Sequence, residues 1–166
     1  MKIDATALVA LAERRIAAVE KGLALIADRL RASADEQFGS GGNPSWVPLS
    51  PHTVAKKTRD GYPRMTRDAT IAPMTLQNAR FGPENVLIRT GTLRESWTDA
   101  SHLSHIEIID VENGSVRIGS VVPYAATHQY GREGGGWQGS DIPARPIVVT
   151  DRDRRIAAEI MNTALN

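Results

Sequence analysis

Between Val122 and Gly131 the chain reads VPYAATHQYG. Three titratable side chains, Tyr124, His128 and Tyr130, and the amide of Gln129 fall in these ten residues. The whole chain has four histidines and three tyrosines. Imidazole, amide and phenol groups gathered this closely suit acid–base catalysis, metal ligation, or polar contact inside a buried joint. Catalysis needs a partner within hydrogen-bond reach. Asp141 and Glu133 are the carboxylates close by, but a chain of this length offers many such pairs. No Gly-x-Ser-x-Gly turn supplies a nucleophile. His102 and His105 are three apart and would face opposite sides of a strand. His52 has no neighbouring ligand, and no His-x-x-x-His pair or carboxylate set completes a metal site. GREGGGWQG (131–139) is glycine-rich but lacks the Lys-Ser/Thr of a phosphate loop. The expectation is no catalytic residue, no metal and no cofactor.

Composition narrows the classes further. The chain has 166 residues, which suits one domain over 1–166, with a long loop at 60–86 and a glycine-rich loop at 131–141. It has no cysteine, so disulfides, thiolate metal sites and cysteine nucleophiles are excluded. Twenty basic and nineteen acidic side chains leave a net charge of +1, which draws the chain neither to nucleic acid nor to a membrane surface. No apolar run approaches the roughly 20 residues that span a bilayer. MKIDATALVALAERR carries acidic residues in its apolar part and does not read as a signal peptide. A soluble intracellular protein is expected. Lys56, Lys57, Arg59, Arg64 and Arg67 surround Tyr62, and such a stretch can follow a phosphate backbone. A nucleic-acid-binding module over Lys56–Arg67 is therefore the alternative reading, although Asp60 and Asp68 dilute the charge.

The elements that would position these residues follow from periodicity. Val9, Ala12, Ile16, Val19, Leu23, Ile26 and Leu30 recur at spacings of three and four, the stripe of a long helix that frays near Ser33. That stripe faces either the chain's own core or a helix of another subunit. FGSGGNP (38–44) is a loop, and Ser50-Pro51 opens a short helix to Arg59. Thr92-x-x-Glu95 has the capping-box spacing for another short helix. LSHIEIIDV and SVRIGSV flank Asn113-Gly114, a hairpin turn whose two central positions need positive φ. Ile106 and Ile108 share one strand face, and Val116 and Ile118 share another. Pro123 and Gly131 bracket a short helix that puts Tyr124 and His128 on one side. IPARPIVV (142–149) is extended and reads as a third strand, and Thr150 starts a final helix with Asp151 and Asp153 in its first turn. The order gives an α+β fold: a small, mainly antiparallel sheet with a long N-terminal helix and a C-terminal helix packed on it.

Four segments in order, WVPLSPHTVAKK, LIRTGTLRESW, VRIGSVVPYAATHQYG and IPARPIVV, resemble the phage virion morphogenesis, or tail completion, family of Mu-like tailed phages and prophages. They cover Trp46 to Val149, with residues 62–84 as an insertion. The matching positions are Trp46, Pro48, Leu49, Ser50, Pro51, Thr90, Gly91, Leu93, Gly119, Pro123, Tyr124, Ala125, His128, Gln129, Gly131, Pro143, Ala144, Arg145 and Pro146. The resemblance implies a structural virion protein of the neck or tail end, present in the host cytoplasm during assembly, with no catalysis and no cofactor. It implies a ring, usually sixfold, meeting tail-tube or connector proteins around a channel that passes DNA. On that reading VPYAATHQYG is a joint. The Tyr124/His128 face closes the core, its hydroxyl and imidazole supplying polar partners where water is excluded; Trp46 is an apolar anchor before the Ser50-Pro51 helix, and Arg145 suits a fixed ion pair within the fold or with the next subunit. The loops at 60–86 and 131–141 are the segments free to reach a neighbour.

Overall fold

The computed structural model describes residues 5–59, 84–88, 90–136 and 139–166. Most of the loop expected at 60–86, including Arg64 and Arg67, lies outside them, as does Trp137. The elements are α1 (Ala5–Ser40), α2 (Pro51–Arg59), α3 (Thr92–Thr98), β1 (His105–Asp110), β2 (Ser115–Ser120), α4 (Ala125–Tyr130) and α5 (Asp151–Leu165). This is a small α+β fold with a two-stranded antiparallel sheet among the described residues.

α1 runs past its expected end at Ser33 because the polar residues there point at partners rather than at their own backbone. Ser33 donates to Asp153 at 2.7 Å, and Gln37 reaches the segment after α4. The helix stops where Gly41 and Gly42 take positive φ, 82° and 96°, and both amides close on the Gln37 carbonyl. Gly42 also has no room for a side chain, since a Cβ there would strike the Trp46 ring. α5 packs antiparallel on α1, with Met161 and Ala164 against Gly22 and Asp153 against Arg29 and Ser33. The C-terminal half of the apolar stripe, Leu23 onward, is therefore covered at home. The N-terminal half is not: Val9 and Ile16 stay more than half exposed.

The hairpin pairs His105 with Ser120 and Asp110 with Ser115. Glu107, Ile109, Val116 and Ile118 thus share one face. That face turns to α1, where Glu107 meets Arg31. Ile106 and Ile108 lie on the outer face with Gly119. The connection has four residues, 111–114. Only Gly114 has positive φ, so the expected left-handed Asn113 is not found. The Asp110 carboxylate instead accepts from the Asn113 backbone and side-chain nitrogens and closes the turn locally. α3 also begins differently from expectation. Its N-cap is Gly91, at φ 93°, and Thr92 makes no cap bond, so the Thr92–Glu95 capping box does not form. A capping box does form at Thr150–Asp153.

The core joins Phe38, Trp46, Val86, Ile88, Leu93, Val122 and Ala125. Phe38 and Trp46 meet edge to face at 5.8 Å. Val86 and Ile88, at the end of the expected loop, are buried in this core. At the α3–hairpin junction the buried Ser96 hydroxyl meets Leu93 O and Ser120 Oγ, both at 2.7 Å, and its carbonyl meets His105 Nδ1.

Candidate functional site

The segment Ile142–Val149 is extended but joins no sheet among the described residues. Its one ladder contact is a bridge from Ile142 to Arg132. An apolar groove of about 310 Å³, lined by Leu30, Ala34, Trp97, Val116, Ile118 and Ile147, separates it from β2. A buried backbone still requires partners, and side chains supply them. Gln129 of α4 brackets Ile147, accepting from its N–H at 3.1 Å and donating to its carbonyl at 3.2 Å. Gln37 of α1 brackets Val148 in the same way, at 3.0 and 2.8 Å. Each amide does what a neighbouring strand would do. The Pro146 carbonyl takes the Trp46 indole N–H at 2.9 Å. The Arg145 amide donates to His128 O at 2.7 Å. Pro143 and Pro146 have no N–H to satisfy. The expected third strand is thus a strap clamped by side chains, its backbone groups committed before β2 could use them.

Of the two ion pairs expected for Arg145, the one within the fold is not formed among the described residues. The Arg145 side chain is buried and donates through Nε and Nη2 to the Val47 carbonyl, both at 3.3 Å. No carboxylate among the described residues pairs with it. The guanidinium ties the Trp46–Val47 segment to the strap, and burial draws its pKa down. His128 lies beside it. Burial, and then the positive charge of Arg145, lower the His128 pKa. Its Nδ1 is buried without a hydrogen-bond partner among the described residues, so the imidazole does not make the polar contact expected of it there. Tyr124 packs edge to face on His128, with centroids 6.0 Å apart, but is itself 44% exposed, so this pair caps the core instead of closing it. Neither Asp141 nor Glu133 bonds the imidazole; the Asp141 carboxylate takes the Gly134 amide at 2.9 Å. α4 starts at Ala125 with Tyr124 as its N-cap, so Pro123 precedes the helix.

Gly131 ends α4 at φ 76°, ψ 175°, a region essentially reserved for glycine. A Cβ there would lie 2.9 Å from the Ala144 nitrogen and the Ile142 carbonyl. The strap passes this close because nothing projects.

The structure brings Trp46, Leu93, Ala125, His128, Gln129, Gly131, Arg145 and Pro146 into this joint. Other predicted positions fall elsewhere. Pro48 is exposed, and Ser50 caps α2 through the Thr53 amide at 3.2 Å, with Pro51 as its first residue. Thr90 and Gly91 lead into α3, with Thr90 bonded to Thr92. Gly119 sits on the outer hairpin face, and Pro123 is exposed. Of the basic stretch, Lys57 is buried and donates to the Asn85 carbonyl at 2.8 Å, which removes it from any phosphate-tracking surface.

Sequence reasoning missed two clamps. Gln37 follows the regular part of the apolar stripe and carries no local signal. Asp153 is 1% exposed; it accepts from Thr150 N and Oγ1, Ser33 Oγ and Arg29. Burial raises its pKa, but these donors together outweigh burial and hold the carboxyl below its ordinary value. The T-x-x-D spacing after the strap was the signal available for it. Among the described residues no set of three His, Cys, Asp or Glu is gathered as metal ligands, and no helix is long and apolar enough to cross a membrane.

Residues 89–166, which carry α3, the hairpin, α4, the strap and α5, match a family of known proteins that serve in virion assembly. The family is the phage virion morphogenesis family, whose model matches residues 89–166, and over that stretch the resemblance read from the sequence holds. The match takes in VRIGSVVPYAATHQYG, IPARPIVV and most of LIRTGTLRESW; WVPLSPHTVAKK precedes it. No curated protein and no solved structure matches the chain significantly.

Proposed function

We propose that the chain is a tail-completion or neck component that acts as one subunit of a closed, sixfold ring, and that it performs no catalysis. Its partners on this reading are its own copies, the abutting tail-tube or connector proteins, and, non-specifically, DNA in the channel. The observation that carries the reading is the use made of the joint residues. Gln37, Gln129, Trp46 and Arg145 spend their polar atoms on backbone groups of the same chain. Such a site holds segments in place and offers no nucleophile–base pair. A rigid body with unpartnered apolar surface suits repeated subunit contact. Leu103 is fully exposed and Tyr130 nearly so, alongside the uncovered half of α1.

Light scattering across a concentration series tests this. Six times 18.0 kDa, about 108 kDa, is the expected closed species. A mass that grows without limit, or one fixed at a single chain even with a tail-tube partner present, overturns the ring.

A further inference from the structure

The apolar stripe of α1 is stricter than a surface helix requires. From Val9 to Leu30 the spacings run three, four, three, four, three, four. This is a heptad seam, the spacing that sets one helix along another. α5 covers the seam from about Gly22 onward and ends at Leu165. Residues 5–17 are all exposed, an overhang of about 20 Å at 1.5 Å per residue. Val9, Ala12 and Ile16 sit on the uncovered seam.

The charges beside the seam favour one occupant. With Val9 and Ile16 at the a positions, Glu13 and Glu20 take e and Arg15 takes g. None of the three engages another side chain among the described residues. In a parallel pair, a g residue meets the e residue five positions on in the other helix. Arg15 then faces Glu20 of the second copy, and where the contact repeats around a ring Glu20 faces Arg15 of the copy before. In an antiparallel pair e meets e and g meets g, so like charges collide. A parallel contact is also what rotation about a ring axis along the helix produces, whereas an antiparallel one needs a twofold axis across it.

We propose that the free N-terminal half of α1 docks in parallel on the same segment of a second copy of this chain, with Arg15 of one copy facing Glu20 of the next. The inference rests on the self-assembly reading and names the surface that serves it. The free seam is short, so it acts together with contacts between the subunit bodies.

The chain has no cysteine, so single cysteines report the contact in the full-length protein. Val9→Cys lies on the seam near its free end, and Arg14→Cys points away from it. Both side chains are exposed, and folding is checked by circular dichroism. Under mild oxidation Val9→Cys should form a disulfide dimer about tenfold faster than Arg14→Cys, since a bridge needs Cα atoms within roughly 7 Å. Arg15→Glu added to Val9→Cys should slow the bridging about fivefold, and Glu20→Arg added to both should restore it. The proposal is overturned if Val9→Cys bridges no faster than Arg14→Cys, or bridges chiefly to Val19→Cys in a mixture, the antiparallel outcome. The solution mass separates this from the ring. A closed 108 kDa species without seam bridging sinks the docking and leaves the ring. Fast seam bridging in a species that never exceeds a dimer does the reverse.

Discussion

Asp153 has almost no exposed surface, yet its donors keep it ionised. Replacing the carboxylate by an amide leaves Arg29 without its counter-charge and keeps one acceptor oxygen where Arg29, Ser33 and Thr150 used two, and breaking such a buried set costs about 3 kcal/mol. Asp153→Asn is therefore expected to lower the urea midpoint at neutral pH. The sign of the pH effect follows from the depressed pKa. The contribution is present above the unfolded value of about 3.9 and is lost as pH falls through the folded value. The gap between wild type and Asp153→Asn should thus narrow below about pH 4. A gap that stays constant down to acid unfolding would mean the carboxylate is not the source. His128 also has a depressed pKa, but as a base it is held neutral by the fold. The unfolded chain takes up its proton first, so stability is present above about pH 6.5 and falls as pH drops toward the folded value. The stability of wild type to urea should fall as pH drops below about 6.5, and more steeply than that of His128→Gln. Parallel slopes would show that Arg145 and burial place no such constraint on the ring.

At the scale of elements, local signals were readable and distant ones were not. The start of α2 at Ser50-Pro51, the hairpin and the start of α5 follow from capping and turn chemistry within a few residues of each other. Thr92-x-x-Glu95 carried the same capping spacing and failed, because Gly91 at φ 93° already turns the chain into α3. Spacing shows that a cap is available, and the backbone before it decides whether it is used. The strap is the reverse case. Its proline content reads as extended, but its hydrogen bonds come from Gln37, 111 residues away, and Gln129, 18 residues away. No local pattern encodes such a partner, so a strand was the natural expectation. Arg145 was similarly visible as a rigidly presented cation, while its carbonyl acceptor at Val47 was not. The clamps predict a graded response. Gln37→Ala leaves the part-buried Val148 N–H and carbonyl without their partners, at a cost of about 1 kcal/mol. Gly131→Ala meets both a glycine-only backbone region and a Cβ contact 2.9 Å from the strap, and should cost about 3 kcal/mol and displace the strap. Urea unfolding followed by tryptophan fluorescence reads both, since the Trp46 indole is bonded to Pro146. If Gly131→Ala were as stable as wild type, the close passage of the strap would be refuted.

For the whole molecule, the arrangement divides α1 into a half that builds the subunit and a half that does not. From Gly22 to Phe38 it meets α5, α3, the hairpin and the strap, through Gly22, Arg31, Asp35 and Gln37 among others. From residue 5 to 17 it buries nothing. A protein selected only to fold gains little from carrying Leu8, Val9, Leu11 and Ile16 in solvent, each more than half exposed. Their retention makes sense if the cost is recovered on assembly. Deleting residues 1–17 separates the two roles. The shortened chain should unfold in urea within about 0.5 kcal/mol of the full chain, because surface removed from a solvent-exposed helix takes away no core contact. The same deletion should shift its mass in light scattering toward the single subunit at concentrations where the full chain assembles. A loss of several kcal/mol would instead show that the N-terminal half belongs to the subunit's own fold. Unchanged stability with unchanged assembly would move the subunit contact to the hairpin side, where Leu103, Ile108 and Val121 stand exposed.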